Sequence, residues 1–180
     1  TLEDVLGGIE EAFRVGFKEI KINTVLIGGV NDDEIADMAA LTKERDIHVR
    51  FIELMPIGEC AEWDRERFIP NEKVLEALPG LEEAGVSGVA RLYRLPGHKG
   101  TIGLISPISS HFCPSCNRVR VTADGRLKPC LHSAEEINLR GLHGEELRQA
   151  FREAVYGKPG RHHLDEAVSM SGRNMNEIGG

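Results

Sequence analysis

The 180 residues predict an α/β fold built on parallel strands. An amphipathic helical segment is followed by a β-branched apolar run, and the same pair then repeats with short links. Helix–strand–helix–strand with short links sets the strands parallel, joined by a right-handed crossover. Two such strands alone leave open sheet edges, so the segment reads as a piece of a larger parallel β/α barrel or sheet. The composition, 41% apolar and 28% charged, is that of an ordinary globular domain. A chain of this length buries about 70% of its unfolded surface, enough for a proper core.

Thr1 and Asp4 form a capping-box signature, and Val5, Leu6, Ile9, Ala12 and Phe13 follow at helical spacing to a stop at Gly16. The run EIKINTVLI, residues 19–27, predicts a strand that Gly28 and Gly29 end. Asn31 is expected to cap a second helix whose inner face is Ile35, Met38, Ala39 and Leu41. IHVRFIEL, residues 47–54, predicts the second strand. In parallel architectures ligand chemistry gathers at the carboxyl ends of strands. Those ends are Gly28 and Gly29, then Met55, Pro56 and Gly58.

The rhythm stops near residue 60. Asn71 is expected to cap a short helix that runs to Leu78, and Pro79-Gly80 ends it. Residues 89–95 and 100–105 alternate like strands around PGHKG. RVRVTADGRLKPCL predicts a hairpin with Asp124-Gly125 at its turn. A last amphipathic helix, Gly144 to Tyr156, is expected to bury Leu147, Ala150, Phe151 and Val155.

No apolar run has the length of a membrane span, and no signal-peptide pattern opens the chain. The first residue is not Met and already reads as helix, so the chain is expected to begin inside a larger protein. A net charge of -7 argues against general nucleic-acid binding. Yet from Ala84 to Ala123 there is no acid, while Arg91, Arg94, Lys99, Arg118 and Arg120 are present. Such a region suits a small anion, although solvated surface cations are the plainer alternative.

Cys113, Cys116 and Cys130 lie close in sequence, which favours a metal site in a reducing compartment over a disulfide scaffold. Two residues between Cys113 and Cys116 let both sulfurs reach one metal. Cys130 would return across the hairpin. Zinc would draw a fourth ligand from His132, His111 or Cys60, whereas an iron–sulfur cluster on three thiolates would leave one iron open. Arg118 and Arg120, alternating on a strand, would share a face. A ligand anionic at one end and metal-bound at the other fits both features.

The run FCPSCNRVRVTADGRLKPCL resembles the second cluster motif of the GTP 3′,8-cyclase family, the radical S-adenosylmethionine enzymes that begin molybdenum-cofactor synthesis. KINTVLIGGVNDDEI, VRFIELMPIG, GHKGTIGLISPIS and the terminal IGG are similar to family segments and stand in family order. The resemblance implies a fold: residues 1–58 as the last units of a partial (βα)6 radical-SAM barrel, and 59–180 as an α+β region holding a 4Fe-4S cluster and GTP. It also implies roles. Cys113, Cys116 and Cys130 would ligate the cluster whose fourth iron faces guanine. Arg118, Val119 and Arg120 would line the GTP site, Lys21 would meet the triphosphate, and Met55 would contact S-adenosylmethionine. Arg50 is a weaker nucleotide candidate. Gly179 and Gly180 would reach into the active site, where a side-chain-free backbone fits best.

The family's first cluster motif, C-x3-C-x2-C, is absent from these residues, and Cys60 cannot replace it. The chain therefore reads as the C-terminal part of a lyase whose second 4Fe-4S cluster and radical generation lie elsewhere. In the intact enzyme a radical would take the ribose 3′ hydrogen of GTP, and the 3′ carbon would attack C8. Expected partners are GTP, S-adenosylmethionine, a reductant protein and a downstream cyclic pyranopterin monophosphate synthase, with neither nucleic acid nor membrane. A homodimer is one assembly the resemblance allows, and the compartment is cytoplasmic. Two rivals remain: a Cys3His zinc module, and another radical enzyme with an auxiliary cluster. Plainer readings stand beside the sites. Lys21 is also a strand-end surface lysine, and Met55 a core residue. His162-His163 is surface, because adjacent side chains point apart.

Overall fold

A computed structural model describes residues 1–110, 112–161 and 169–178. His111, His162, His163, Gly179 and Gly180 lie outside the described residues. Among the described residues no helix is long and apolar enough to cross a membrane. The chain forms two compact units: residues 1–54 with 66–109, and 55–65 with 110–180.

The first unit holds a five-stranded mixed sheet in the order β1-β2-β5-β4-β3. Helix α1, Leu2–Arg14, opens on the expected capping box, with Thr1 and Asp4 bonded reciprocally. Its stripe is only half used: Ile9 and Phe13 pack on the core, while Leu2, Val5 and Leu6 stay exposed. Strands β1, Ile20–Leu26, and β2, Ile47–Glu53, pair in parallel as expected. Helix α2, Ile35–Ala40, lies between them and buries Ile35 and Ala39. Asn31 does not cap it. Its side chain accepts from the Ile27 amide (2.9 Å) and donates to the Val25 carbonyl (3.0 Å), closing the loop that follows β1.

Helix α3, Glu72–Ala77, seats Val74 in the core. Strands β3, Glu82–Ser87, and β4, Ala90–Arg94, form an antiparallel pair. Strand β5, Thr101–Ile105, pairs antiparallel with β4 and parallel with β2. The sheet is therefore open and mixed, so β2 is an interior strand. β3 carries no alternating apolar pattern and is almost wholly exposed, which is why it is invisible to periodicity.

The core lies on one sheet face, where Leu26, Val49, Phe51 and Ile102 have no exposed surface. Each such side chain contributes roughly 2 kcal/mol of transfer free energy. Glu53 ends β2 on this same face and is 3% exposed. Its carboxylate accepts from the amides of Asn71 (3.1 Å), Ile108 (3.0 Å) and Ser109 (3.0 Å), and from the Ser109 hydroxyl (2.5 Å). Asn71 sits at the α3 N-cap position without capping, since its amide reaches back to Ile105 and Ser106.

The second unit is built on a small antiparallel sheet, β6-β7-β8. Strands β6, Arg120–Val121, and β7, Arg126–Lys128, make the expected hairpin, with Gly125 at φ +76° in its turn. Strand β8, Ile137–Asn138, adds to β7. Helix α4 spans Gly144–Tyr156, as predicted, and packs on β7. It buries Ala150 and Ala154, whereas Val155 is half exposed. Of the expected stripe Ala150 is buried and Leu147 and Phe151 are half-buried, while Ala154 takes the place of Val155. Small residues there let the helix approach the narrow sheet closely.

Candidate functional site

In the first unit, the sheet face opposite the core carries the polar residues, because strand side chains alternate. Registers align them in rungs. Lys21 stands beside His48, which stands beside Thr101; Asn23 stands beside Arg50, which stands beside Gly103. His48 Nδ1 lies 2.6 Å from Thr101 Oγ1, and its Nε2 faces Asp46 and Glu19. Lys21 is near the amino end of β1, not at its carboxyl end, and pairs with Glu19 at 2.6 Å. The stem of Arg50 lies across Gly103, where an added Cβ would meet Arg50 Cγ at 3.0 Å. Arg50 Nε is buried and makes no hydrogen bond among the described residues. A buried donor of this kind calls for a partner such as water or a bound group.

The second unit holds the thiols, both hairpin arginines and Met55. Cys113, Cys116 and Cys130 are free and half-buried, as is Cys60. Burial and Glu59 push the Cys60 thiol up. Cys113 opens a 3-10 turn, and the Cys116 amide closes it on the Cys113 carbonyl at 3.1 Å. The hairpin is shorter than expected. Arg120 pairs with Lys128, so continuing that register by two residues sets Arg118, not Cys116, opposite Cys130. Arg118 lies outside β6 and is exposed, while Val119 and Arg120 are half-buried. The shared strand face foreseen for the two arginines is therefore not formed by β6. Among the described residues, no three His, Cys, Asp or Glu side chains stand together as a metal-holding group. The donors nevertheless suit a thiolate-bound cluster in kind, being free, partly buried and close to cations.

Two features escaped the sequence. Lys158, beyond α4, donates to the carbonyls of Cys116 (3.0 Å) and Arg118 (2.7 Å), and lies 3.5 Å from Cys116 Sγ. Arg173 binds Glu136 and Asp124, the only acid of the thiol hairpin. Its guanidinium, with the Thr122 hydroxyl, holds the Asp124 carboxyl well below the usual range. Hydrogen bonds from Arg173 and Lys128 lower the Glu136 carboxyl as well, against the opposing effect of burial. No local pattern announces either contact, because each spans about 40 residues of sequence.

Residues 47–164 match a family model described as Molybdenum Cofactor Synthesis C. The chain is similar to the GTP 3′,8-cyclase of Alkaliphilus metalliredigens, at 51% identity over 99% of this chain and 58% of the relative. It is 48% identical to the GTP 3′,8-cyclases of Alkaliphilus oremlandii and Peptoclostridium acidaminophilum, covering 58% and 57% of those proteins. The chain thus spans less than two thirds of the length of these relatives.

Proposed function

The chain belongs to the Molybdenum Cofactor Synthesis C family, and from that premise we propose that it is the cluster- and nucleotide-holding part of a GTP 3′,8-cyclase. The single observation that carries this reading is the second unit's composition. Three free, half-buried thiols share one segment with Arg118 and Arg120, while the segment's one acid is already engaged by Arg173.

In this reading Cys113, Cys116 and Cys130 hold a 4Fe-4S cluster, and the thiols draw together when it binds. The cluster supplies an iron open to a non-protein ligand, on which a purine nucleotide can be oriented. Arg118 and Arg120 present planar donor forks, suited to phosphate oxygens and purine-edge acceptors. Lys21, on the polar sheet face of the first unit, would meet the triphosphate as a point charge, and Arg50 is a weaker candidate for the nucleotide. Met55 contacts S-adenosylmethionine, and Gly179 and Gly180, which lie outside the described residues, would reach into the active site as the family resemblance implies. β1, α2 and β2 are closing units of a partial (βα)6 barrel in a cytoplasmic enzyme. The first cluster, radical generation, the reductant protein, the downstream synthase and any homodimer belong to the intact assembly. Orientation of a reactive substrate is the main task of these residues.

Anaerobic reconstitution with iron and sulfide tests the reading. A brown protein with broad visible absorbance that changes when GTP is added supports it. A colourless zinc protein with four protein ligands, indifferent to GTP, overturns it.

A further inference from the structure

We propose that Lys158 is a positioning residue of the thiolate site: its ammonium anchors the Cys116–Arg118 backbone and sets a fixed positive charge against Cys116. The proposal rests on the reading above and deepens it. Lys158 follows Gly157, the cap residue of α4. Lysines near a helix C-terminus ordinarily bond the last helical carbonyls. This one does not. Pro159 comes next, and a residue before proline is driven out of helical conformation into extended backbone. The side chain is led away from its own helix to acceptors about 40 residues earlier.

The geometry is complete in a specific sense. An ammonium has three protons. Lys158 has three acceptors: the Cys116 carbonyl at 3.0 Å, the Arg118 carbonyl at 2.7 Å and Cys116 Sγ at 3.5 Å. The two carbonyls flank Asn117. One cation thus ties down the residue that would ligate the cluster and the residue that would face the nucleotide. Among the described residues no turn or loop amide donates to the Arg118 carbonyl, so Lys158 is the tether at that carbonyl.

The charge has a separate consequence. Thiolate-bound clusters are anionic, and hydrogen bonds and positive charge at a ligand sulfur favour the reduced form. Removing the cation lowers the reduced-to-oxidised ratio at a fixed potential, by about tenfold for a partly exposed group at this distance.

The test uses the reconstituted chain as wild type, Lys158→Gln and Lys158→Arg, with far-UV circular dichroism to establish folding. Three readouts follow: iron and sulfide content, redox titration of the cluster, and hydrogen exchange of amides 116–120 in the unloaded protein. In Lys158→Gln, exchange should quicken by about tenfold or more, cluster content should fall, and the remaining cluster should be harder to reduce. Lys158→Arg should keep the wild-type redox behaviour, because it keeps the charge. Wild-type loading, redox behaviour and exchange in Lys158→Gln would overturn the proposal while leaving the functional reading intact. A wild-type chain that takes up no cluster would overturn both, and Lys158→Arg behaving as Lys158→Gln would overturn the role of charge.

Discussion

Arg173 grips Glu136 through one edge of its guanidinium, Nε 2.6 Å from Oε1 and Nη2 2.8 Å from Oε2. The same Nη2 reaches Asp124 Oδ2 at 2.8 Å, and buried Lys128 lies against Glu136 from within. The result is a latch. It fastens the segment around Arg173 to the turn of the thiol hairpin and to the stretch leading into β8. Bidentate pairing of this kind is stiff as well as strong.

The latch has a pH dependence whose sign is fixed. Asp124 and Glu136 are both held below their ordinary range, first of all by hydrogen bonds from Arg173. Depressed carboxyl groups stabilise the fold fully above the unfolded values of about 4, and lose that contribution as pH falls through the folded values. Wild-type Tm should hold from neutrality to near that limit and then drop. Arg173→Met should melt lower at neutral pH and show a shallower acid limb. Thermal melts between pH 7 and 3 decide the matter: parallel curves for the two proteins would sink the idea.

Glu53 should be the most sensitive polar residue of the first unit. Four donors converge on its buried carboxylate from α3 and from the loop after β5. Glu53→Gln keeps the shape but offers one acceptor oxygen and turns an NH2 toward donors. The loss should be about 3 kcal/mol. Urea denaturation should show a lower midpoint at an unchanged m value, and a midpoint equal to wild type would contradict the account.

Gly58 and Asn174 are in close apposition. Gly58 has φ +59°, and a Cβ there would lie 2.0 Å from Asn174 Oδ1, which accepts from the Glu59 amide. Gly58→Ala should therefore do two things: strain the backbone by about 1 kcal/mol and displace Asn174. Amide exchange around Ile178, now fully buried, should quicken. Gly16→Ala is the control, since Gly16 has φ +103° and nothing within 4 Å. It should be destabilised without any change at Ile178. Equal exchange at Ile178 in both variants would remove Asn174 from the argument.

How much of this was legible in the sequence follows from how local each signal is. β1 and β2 declare themselves by β-branched runs and α4 by its 3.6 period, and the Thr1–Asp4 cap needs only three residues of spacing. Asn31 misled because the same side chain can cap a helix or brace a turn, and the free carbonyl of Val25 decided for the brace. The parallel pairing of β5 with β2 is set by residues about 50 apart, beyond the reach of any periodic pattern. In the candidate site, the residue types were legible: three thiols and two arginines. Their supports were not, because Lys158 and Arg173 arrive from distant segments with no motif of their own.

Arg118 and Arg120 supply the sharpest functional prediction. Arg118 is exposed just before β6, so replacing it with Ala should leave the melting curve nearly unchanged, whereas Arg120, half-buried and engaged within the protein, should cost some stability when replaced. Nucleotide binding should behave otherwise. Each charge-assisted bond to phosphate or purine contributes about 1.5 kcal/mol or more, so the double variant should lose at least about a hundredfold in GTP affinity. Calorimetric titration of the reconstituted protein measures this. Arg118→Lys separates charge from shape: a point charge keeps the attraction but cannot form the planar fork. An intermediate affinity assigns the fork a role of its own. Affinity unaltered in the double Ala variant would place the nucleotide elsewhere and remove the anion half of the functional reading.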